Sequence, residues 1–526
     1  MYRVRQVKVL VEDNNILDAI SKKIKINKEN IKNYKILKQS IDARKKGSIY
    51  YVYEVLVDTN IELRLSDDIL EYVEEKYEYP MSGERELNNR PIIVGSGPSG
   101  LFCGLILSRC GYKPIILERG EDIDNRINSV NTFWSTGKLN PNSNIQFGLG
   151  GAGTFSDGKL NTLIKDSNNR MKFVYEEFVL HGAKEDILYS YKPHVGTDIL
   201  VNVVKSIKDE IISLGGEFRF NTCLTDINIT NNKVNSIVVN DKDIINTDIL
   251  VLCIGHSSRD TFRMLNNRNI NMESKPFAVG LRVIHSQDMI NLSQYGEKYK
   301  DMLGSAPYKL TYKCSNGRGV YSFCMCPGGY VVNASSEENR LVVNGMSYSG
   351  RDSTTANSAI VVSIYPRDYG TDLFDGVKFQ EELESKAFNI GKGSVPIQLY
   401  KDFINDIESK SLGSVDPNIK GEYTFSNLNS LLPVFLNDSI KEAFIDFNKK
   451  IKGFSNDDTI LVGVESRTSS PIRILRDDNF VSNIEGIYPC GEGAGYAGGI
   501  TSASIDGVKI AEAIIKEYRG VYEEEN

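Results

Sequence analysis

The hydrophobic rhythm of the chain changes several times, and those changes divide it. Ile92-Ile93-Val94 is an unbroken apolar run, the pattern of a strand buried on both faces. It runs straight into Gly95-Ser96-Gly97-Pro98-Ser99-Gly100. Helical spacing follows at Leu101, Leu105 and Ile106, and a second short strand over 114–117 ends at Glu118, 18 residues after Gly100. A strand closing on glycine recurs at 249–255 and again at 487–491. The last of these leads into a helix over 501–518, with Ile505, Val508, Ile510, Ala511, Ile514 and Ile515 on its apolar side. Between these units the spacing predicts a helix over 196–214, a strand over 218–220, and two short strands, 225–229 and 233–239, around an Asn231-Asn232 turn.

Other stretches keep a different rhythm. Val4, Val7 and Val9 begin a strand, residues 16–26 and 31–41 have helical spacing, 49–57 is a second strand, and Ser66 caps an acidic helix. Residues 82–90 read as a polar linker. From 265 to 455 strands follow one another without alternating helices (277–283, 320–326, 330–334, 341–345, 358–364), which predicts a separate antiparallel sheet. Helices follow at 377–389 and 437–452. The stretch after Glu118 reads as loop-rich up to residue 159. The expected class is α/β, in four segments. Residues 1–86 form a small N-terminal α+β (ferredoxin-like) module and 87–265 the first part of a Rossmann domain. Residues 266–455 are an inserted antiparallel β-rich substrate or cap domain, and 456–526 the C-terminal part of the Rossmann domain.

Composition narrows the function classes. The 526 residues are 40% apolar and 25% charged, with net charge −7, so nothing global favours nucleic acid or an acidic membrane. Residues 1–50 differ, with 13 Lys/Arg against 5 Asp/Glu: +8 locally, and −7 − 8 = −15 for the rest. Eight cysteines lack any C-x-x-C pair, which points to reduced thiols and a cytoplasmic setting. The N-terminus has no signal-peptide core and no apolar run reaches membrane length. The four histidines, 181, 194, 256 and 285, lack metal-ligand spacing, so no metal is expected.

The glycines carry the chemistry. Gly95 makes a tight turn, Gly97 lets the backbone approach a pyrophosphate, and Gly100 lets helix and strand pack closely. Pro98 and Ser99 open the helix whose free N–H groups face that phosphate, and Glu118, followed by Arg119, is placed to accept from ribose hydroxyls. A second glycine loop, residues 144–159, holds five glycines; Gly150, Gly151, Ala152, Gly153 and Thr154 suit a backbone cradle. The 225–239 meander favours FAD over a simple NAD site. Gly255 and Gly491 end strands, and Glu492 suits the hydroxyls of a ribityl chain. Gly499, Ile500 and Thr501 form a helix start whose positive end suits the N1–C2=O edge of a flavin. A second G-x-G-x-x-G unit is absent, which leaves NAD(P)H only as a transient donor.

Jointly, QFGLGGAGTFSDGKL (146–160), CIGHSSRDT (253–261), PFAVGLRV (276–283), CMCPGGYVVNASSE (324–337), ESRTSSPIR (465–473) and GEGAGYAGGITSASIDG (491–507), with the first glycine fingerprint and SIDARKK (40–46), resemble bacterial FAD-dependent dehydrogenases of the glutathione-reductase-like superfamily. One departure is Leu149, where an acidic residue is expected. The resemblance implies bound FAD and oxidoreductase chemistry, and leaves the substrate open.

Four side-chain assignments carry two readings each. Arg467 either faces flavin or an anionic substrate, or pairs with Glu465 or another acid. Thr468 either donates to a flavin edge or holds a turn. His256 either does acid–base work or caps a strand end. Cys324 and Cys326, two apart on a strand, either form a redox pair or are ordinary buried thiols. Trp134 defaults to the core. The reading is a hydride-transferring FAD-dependent oxidoreductase acting on a small molecule. The alternative is an RNA-associated flavoprotein that grips RNA through its basic N-terminal module. The sequence sets no oligomeric state.

Overall fold

The computed structural model describes residues 1–13 and 15–520. Its organising element is a five-stranded parallel sheet in the order Ile487–Pro489, Leu250–Leu252, Ile92–Val94, Ile115–Leu117, Glu217–Arg219. Each strand is only three residues long, and all but the edge strand Glu217–Arg219 are apolar and almost fully buried. Helices Pro98–Arg109, Thr197–Ser213 and Ile500–Glu517 cover one face through Leu101, Leu105, Ile207, Ile211, Ile505 and Ile514. The antiparallel meander Leu224–Thr230, Lys233–Val239, Asp243–Asn246 packs Ile227, Val234 and Ile237 on the other.

The chain leaves this sheet after Leu252 and returns at Ile487. In between it builds a seven-stranded sheet: Thr311–Lys313, Gly319–Cys326, Thr355–Ile364, Phe277–Ser286, Ile460–Glu465, Val395–Leu399, Tyr423–Phe425. All its neighbours are antiparallel except the final pair. Ile460–Glu465 falls in the stretch expected to rejoin the parallel sheet, yet it is a central strand here. Its six residues are all buried, as a strand flanked on both edges and both faces requires.

The N-terminal sheet has the order Ile31–Asp42, Tyr50–Thr59, Tyr2–Leu10, Ile69–Glu71, with helix Ile16–Ile24 against it. Two expectations fail here. Residues 31–41 are a strand, not a helix, because bulges between Ile31 and Asn33 and between Ile36 and Lys38 break the alternation into three- and four-residue steps. The acidic segment after Ser66 is a turn and a short strand, with Asp68 paired to Lys23 at 2.6 Å. A third correction concerns the loop-rich stretch after Glu118, which contains helix Ile123–Thr136. Its signals are ordinary ones: the Asp122 side chain accepts from the Ile123 N–H at 2.8 Å, and Gly137 ends it in the left-handed region. Among the described residues no helix is long and apolar enough to cross a membrane, and no cluster of three His, Cys, Asp or Glu could hold a metal.

Candidate functional site

The parallel sheet, the second glycine loop and residues 323, 324 and 465 of the seven-stranded sheet line a groove of about 360 Å³, inside the range of roughly 300–1,000 Å³ usual for small-molecule sites. Sixteen of the predicted residues line it: Gly95, Gly97, Pro98, Ser99, Glu118, Arg119, Gly151, Ala152, Gly153, Gly255, His256, Arg467, Thr468, Glu492, Gly499 and Ile500. Gly100, Gly150, Thr154, Gly491 and Thr501 stand behind that wall.

The glycines divide by what a side chain would meet. A Cβ on Gly100 would lie 1.9 Å from the Gly95 oxygen, and one on Gly95, whose φ is +101°, 2.4 Å from the Cys253 oxygen; both are packing positions. A Cβ on Gly97 would meet only Gly151 Cα at 3.9 Å, and one on Gly255 would meet nothing within 4 Å. Those two keep the groove empty. Helices Pro98–Arg109 and Ile500–Glu517 begin at Gly97 and Gly499 without any side-chain cap. Their first N–H groups and positive dipole ends therefore serve the groove. Thr501 contributes only backbone, since its hydroxyl donates to the Leu160 carbonyl at 2.7 Å.

Glu118 departs from the expected ribose clamp. Its carboxylate is buried and already accepts from Ser96 N–H (3.0 Å), Ser96 O–H (2.6 Å), Gly120 N–H (2.9 Å) and Gly148 N–H (2.9 Å). Burial demands those donors, so the residue ties the first glycine turn to the second glycine loop. Arg119 lies over the Phe147 ring at 4.7 Å and bonds Asp260 at 2.8 Å.

Sequence reasoning missed Arg126, which shapes the second loop. Fully buried on helix Ile123–Thr136, it donates to the carbonyls of Asn144 (2.9 Å), Ile145 (2.8 Å), Gly148 (3.3 Å), Leu149 (2.7 Å) and Gly151 (3.0 Å). Burial pushes its guanidinium down to about 10. Leu149 turns its side chain into the core, so the expected acid has no place there.

Arg467 lines the groove and is paired with acids other than Glu465. It donates to Glu384 (2.9 and 2.7 Å), Glu337 (3.0 Å), Ser257 (2.9 Å) and Ser336 (2.7 Å). Arg259 grips the other side of the same fully buried Glu384 at 2.9 Å. Burial works against the Glu384 charge, yet Arg259 and Arg467 outweigh it and hold the carboxyl well below its ordinary range. Glu465 pairs instead with buried Arg282 at 2.9 Å, and burial still lifts it above the usual carboxylate range. Thr468 donates to the Ala278 carbonyl at 2.8 Å. Trp134 bonds the Asn333 carbonyl at 3.1 Å and packs edge-on to Phe155, away from the groove.

His256 and Glu492 form the titratable pair of the parallel-sheet wall, Nδ1 to Oε1 at 3.6 Å. Burial and the cations of Arg467 and Arg259 push the imidazole down to about 3, so it is neutral. Burial lifts the Glu492 carboxyl to about 7, although its side chain keeps 30% exposure toward the groove. His256 Nε2 is buried without a hydrogen-bond partner.

An uncharacterised protein of Clostridium beijerinckii is 48% identical over 529 residues, covering 98% of this chain and 99% of its own length. The two chains belong to one family. Residues 276–468 match the family described as FAD-dependent protein, C-terminal domain-like, and residues 1–58 match a domain of unknown function. FAD is thus the cofactor of this family member, and the groove's open glycines and paired helix starts fit it. Among solved structures, Bacillus cereus glycine oxidase (12% identity, 82% of this chain and 98% of that one, TM-score 0.35) and P. horikoshii L-proline dehydrogenase (12%, 82% and 94%, 0.33) overlap only loosely, and no chemistry is carried over from them.

Proposed function

We propose that the chain is an FAD-dependent oxidoreductase that moves a hydride between a small-molecule substrate and the flavin. One observation carries the reading: two uncapped helix starts, at Gly97 and Gly499, open on one groove from opposite ends of the chain. The first suits a pyrophosphate, with Glu118 and Arg119 toward the adenosine end. The second suits the electron-rich pyrimidine edge of the ring. When bound, FAD supplies the two-electron acceptor at N5.

The chain's own residues then set the conditions. Glu492 holds a proton on its carboxyl below about pH 7, beside a His256 that stays neutral. The Arg259–Glu384–Arg467 cluster fixes the strand end after Gly255 against the segment after Glu465, so the two walls keep their spacing. The wall opposite the parallel sheet, with Cys324, Asn344 and Glu465, is the one left for the substrate.

The test is direct. Purified protein titrated with FAD should turn yellow, and anaerobic NADH or NADPH should bleach it, followed by a metabolite screen for reoxidation. Protein that takes up no FAD removes the reading. Protein that binds FAD but is reduced by neither nucleotide nor any metabolite reduces the flavin to a structural role.

A further inference from the structure

The antiparallel wall of the groove carries a feature that flavin binding does not use. Strand Gly319–Cys326 follows Thr355–Ile364 in register until Phe323, where the ladder breaks and resumes only at Cys326. Cys324 sits in that break with φ +43°, in the left-handed region that non-glycine residues rarely enter. The bulge cancels the plain strand geometry expected of the pair. The Cys324 thiol lines the groove, while Cys326 is fully buried. The Cys326 S–H donates to the Cys324 carbonyl oxygen at 3.3 Å. Arg282 spans both residues, at 3.2 Å from the Cys324 oxygen and 3.9 Å from the Cys326 sulfur.

The electrostatics separate the two thiols. The neighbouring Cys326 side chain pulls the Cys324 thiol well below the ordinary range, against burial, with help from the Lys159 and Arg282 cations. Burial and the neighbouring Cys324 push Cys326 well above it. Among the described residues, Cys324 is the one thiol pulled down, whereas Cys103, Cys110, Cys223, Cys314 and Cys490 are pushed up. A low thiol beside a high one is the division of labour of an attacking and a resolving sulfur. The same groove is lined by His256, whose side chain is 10% exposed.

We propose that Cys324 and Cys326 are a redox-active dithiol on the substrate side of the groove, acting on a small disulfide. The proposal rests on the FAD oxidoreductase reading and names its substrate class. The Cys324 thiolate attacks one sulfur of RSSR; the S–S bond breaks, RS⁻ leaves, and a Cys324–S–S–R bond forms. Cys326 gives its proton to the departing thiolate, and its sulfur attacks the Cys324 sulfur and expels the second RS⁻. The protein loses two electrons, RSSR gains them, and RSH and RS⁻ leave. Resetting the thiolate–thiol state takes two electrons and one proton, which the reduced form of the family's cofactor carries.

The experiment uses full-length, FAD-loaded protein, reduced, desalted and mixed with glutathione disulfide, read by intact mass and peptide mapping. Wild type should lose two hydrogens in a single 324–326 disulfide and keep no adduct. Cys326→Ser should retain one glutathionyl group on Cys324, and Cys324→Ser none. Iodoacetamide at pH 6 should alkylate Cys324 at least about tenfold faster than Cys110, because only the thiolate reacts. Cys326→Ala, with flavin absorbance as the folding control, guards against a misfolded serine variant. FAD uptake with both thiols inert to glutathione disulfide overturns the dithiol. Thiol exchange in protein that takes up no FAD supports the dithiol and removes the flavin reading instead.

Discussion

The two walls of the groove are made of different material. The parallel-sheet wall is mostly backbone: glycines at 95, 97, 151 and 255, and the opening turns of two helices. The antiparallel wall is mostly side chain: Cys324, Asn344, Glu465 and, behind them, Arg282. A backbone wall offers N–H groups and space, which suits holding a long anionic cofactor in one place. A side-chain wall offers groups whose protonation and nucleophilicity neighbours can tune, which suits the substrate. In the proposed function, binding and reactivity fall to opposite walls, and the buried Arg259–Glu384–Arg467 cluster ties those walls together.

Breaking the coupling should have the largest effect. Glu384→Ala leaves two buried guanidiniums without their carboxylate and should cost about 3–5 kcal/mol, measured from denaturant midpoints. The sign of its pH dependence follows from the lowered carboxyl: the stabilisation is full above the ordinary value of 4.5 and lost as pH falls below it. A melting temperature that declines less steeply on acidification in the alanine variant than in wild type would show this, the remaining slope belonging to other lowered carboxyls such as Asp157 and Asp368.

Next come two glycines three residues apart, which separate packing from binding on the backbone wall. Gly100→Ala places a methyl 1.9 Å from the Gly95 oxygen and should destabilise the protein itself by about 1–3 kcal/mol. Gly97→Val projects into the groove, so it should leave the apo melting temperature unchanged and weaken FAD about 100-fold, or about 2.7 kcal/mol. Equal effects of both on stability, with FAD binding untouched by the valine, would erase the distinction.

The smallest effect concerns Glu492. Its carboxyl is neutral below about 7 and ionises above it, and an ionised carboxylate repels the anionic cofactor. FAD affinity in wild type should therefore fall as pH rises from 6 to 8, by several-fold. Glu492→Gln should match wild type at pH 6 and stay flat, as fluorescence titration would report.

Much of the backbone wall was legible because its causes are local. Gly95, Gly97 and Gly100 act within one strand–turn–helix unit, and the apolar positions of helix Ile500–Glu517 repeat within a few turns. In two places where local rhythm misled, bulges were responsible: strand Ile31–Asp42, which has two, and the strand around Cys324. An extra residue in a ladder shifts the faces without leaving any mark in composition.

By itself, then, the sequence determined the glycine turns, the apolar strands and the helix starts that build a dinucleotide-type groove, since each depends on residues close in the chain. Only the tertiary structure decided the partners. Arg467 chose Glu384, 83 positions away, over Glu465, two away. Arg126 closed on the carbonyls of the second glycine loop, and Glu118 spent its oxygens on protein donors rather than leaving them free. The physical reason is shared: a buried charge takes the partners that complete its hydrogen bonds in three dimensions, and distance along the chain places no limit on which those are.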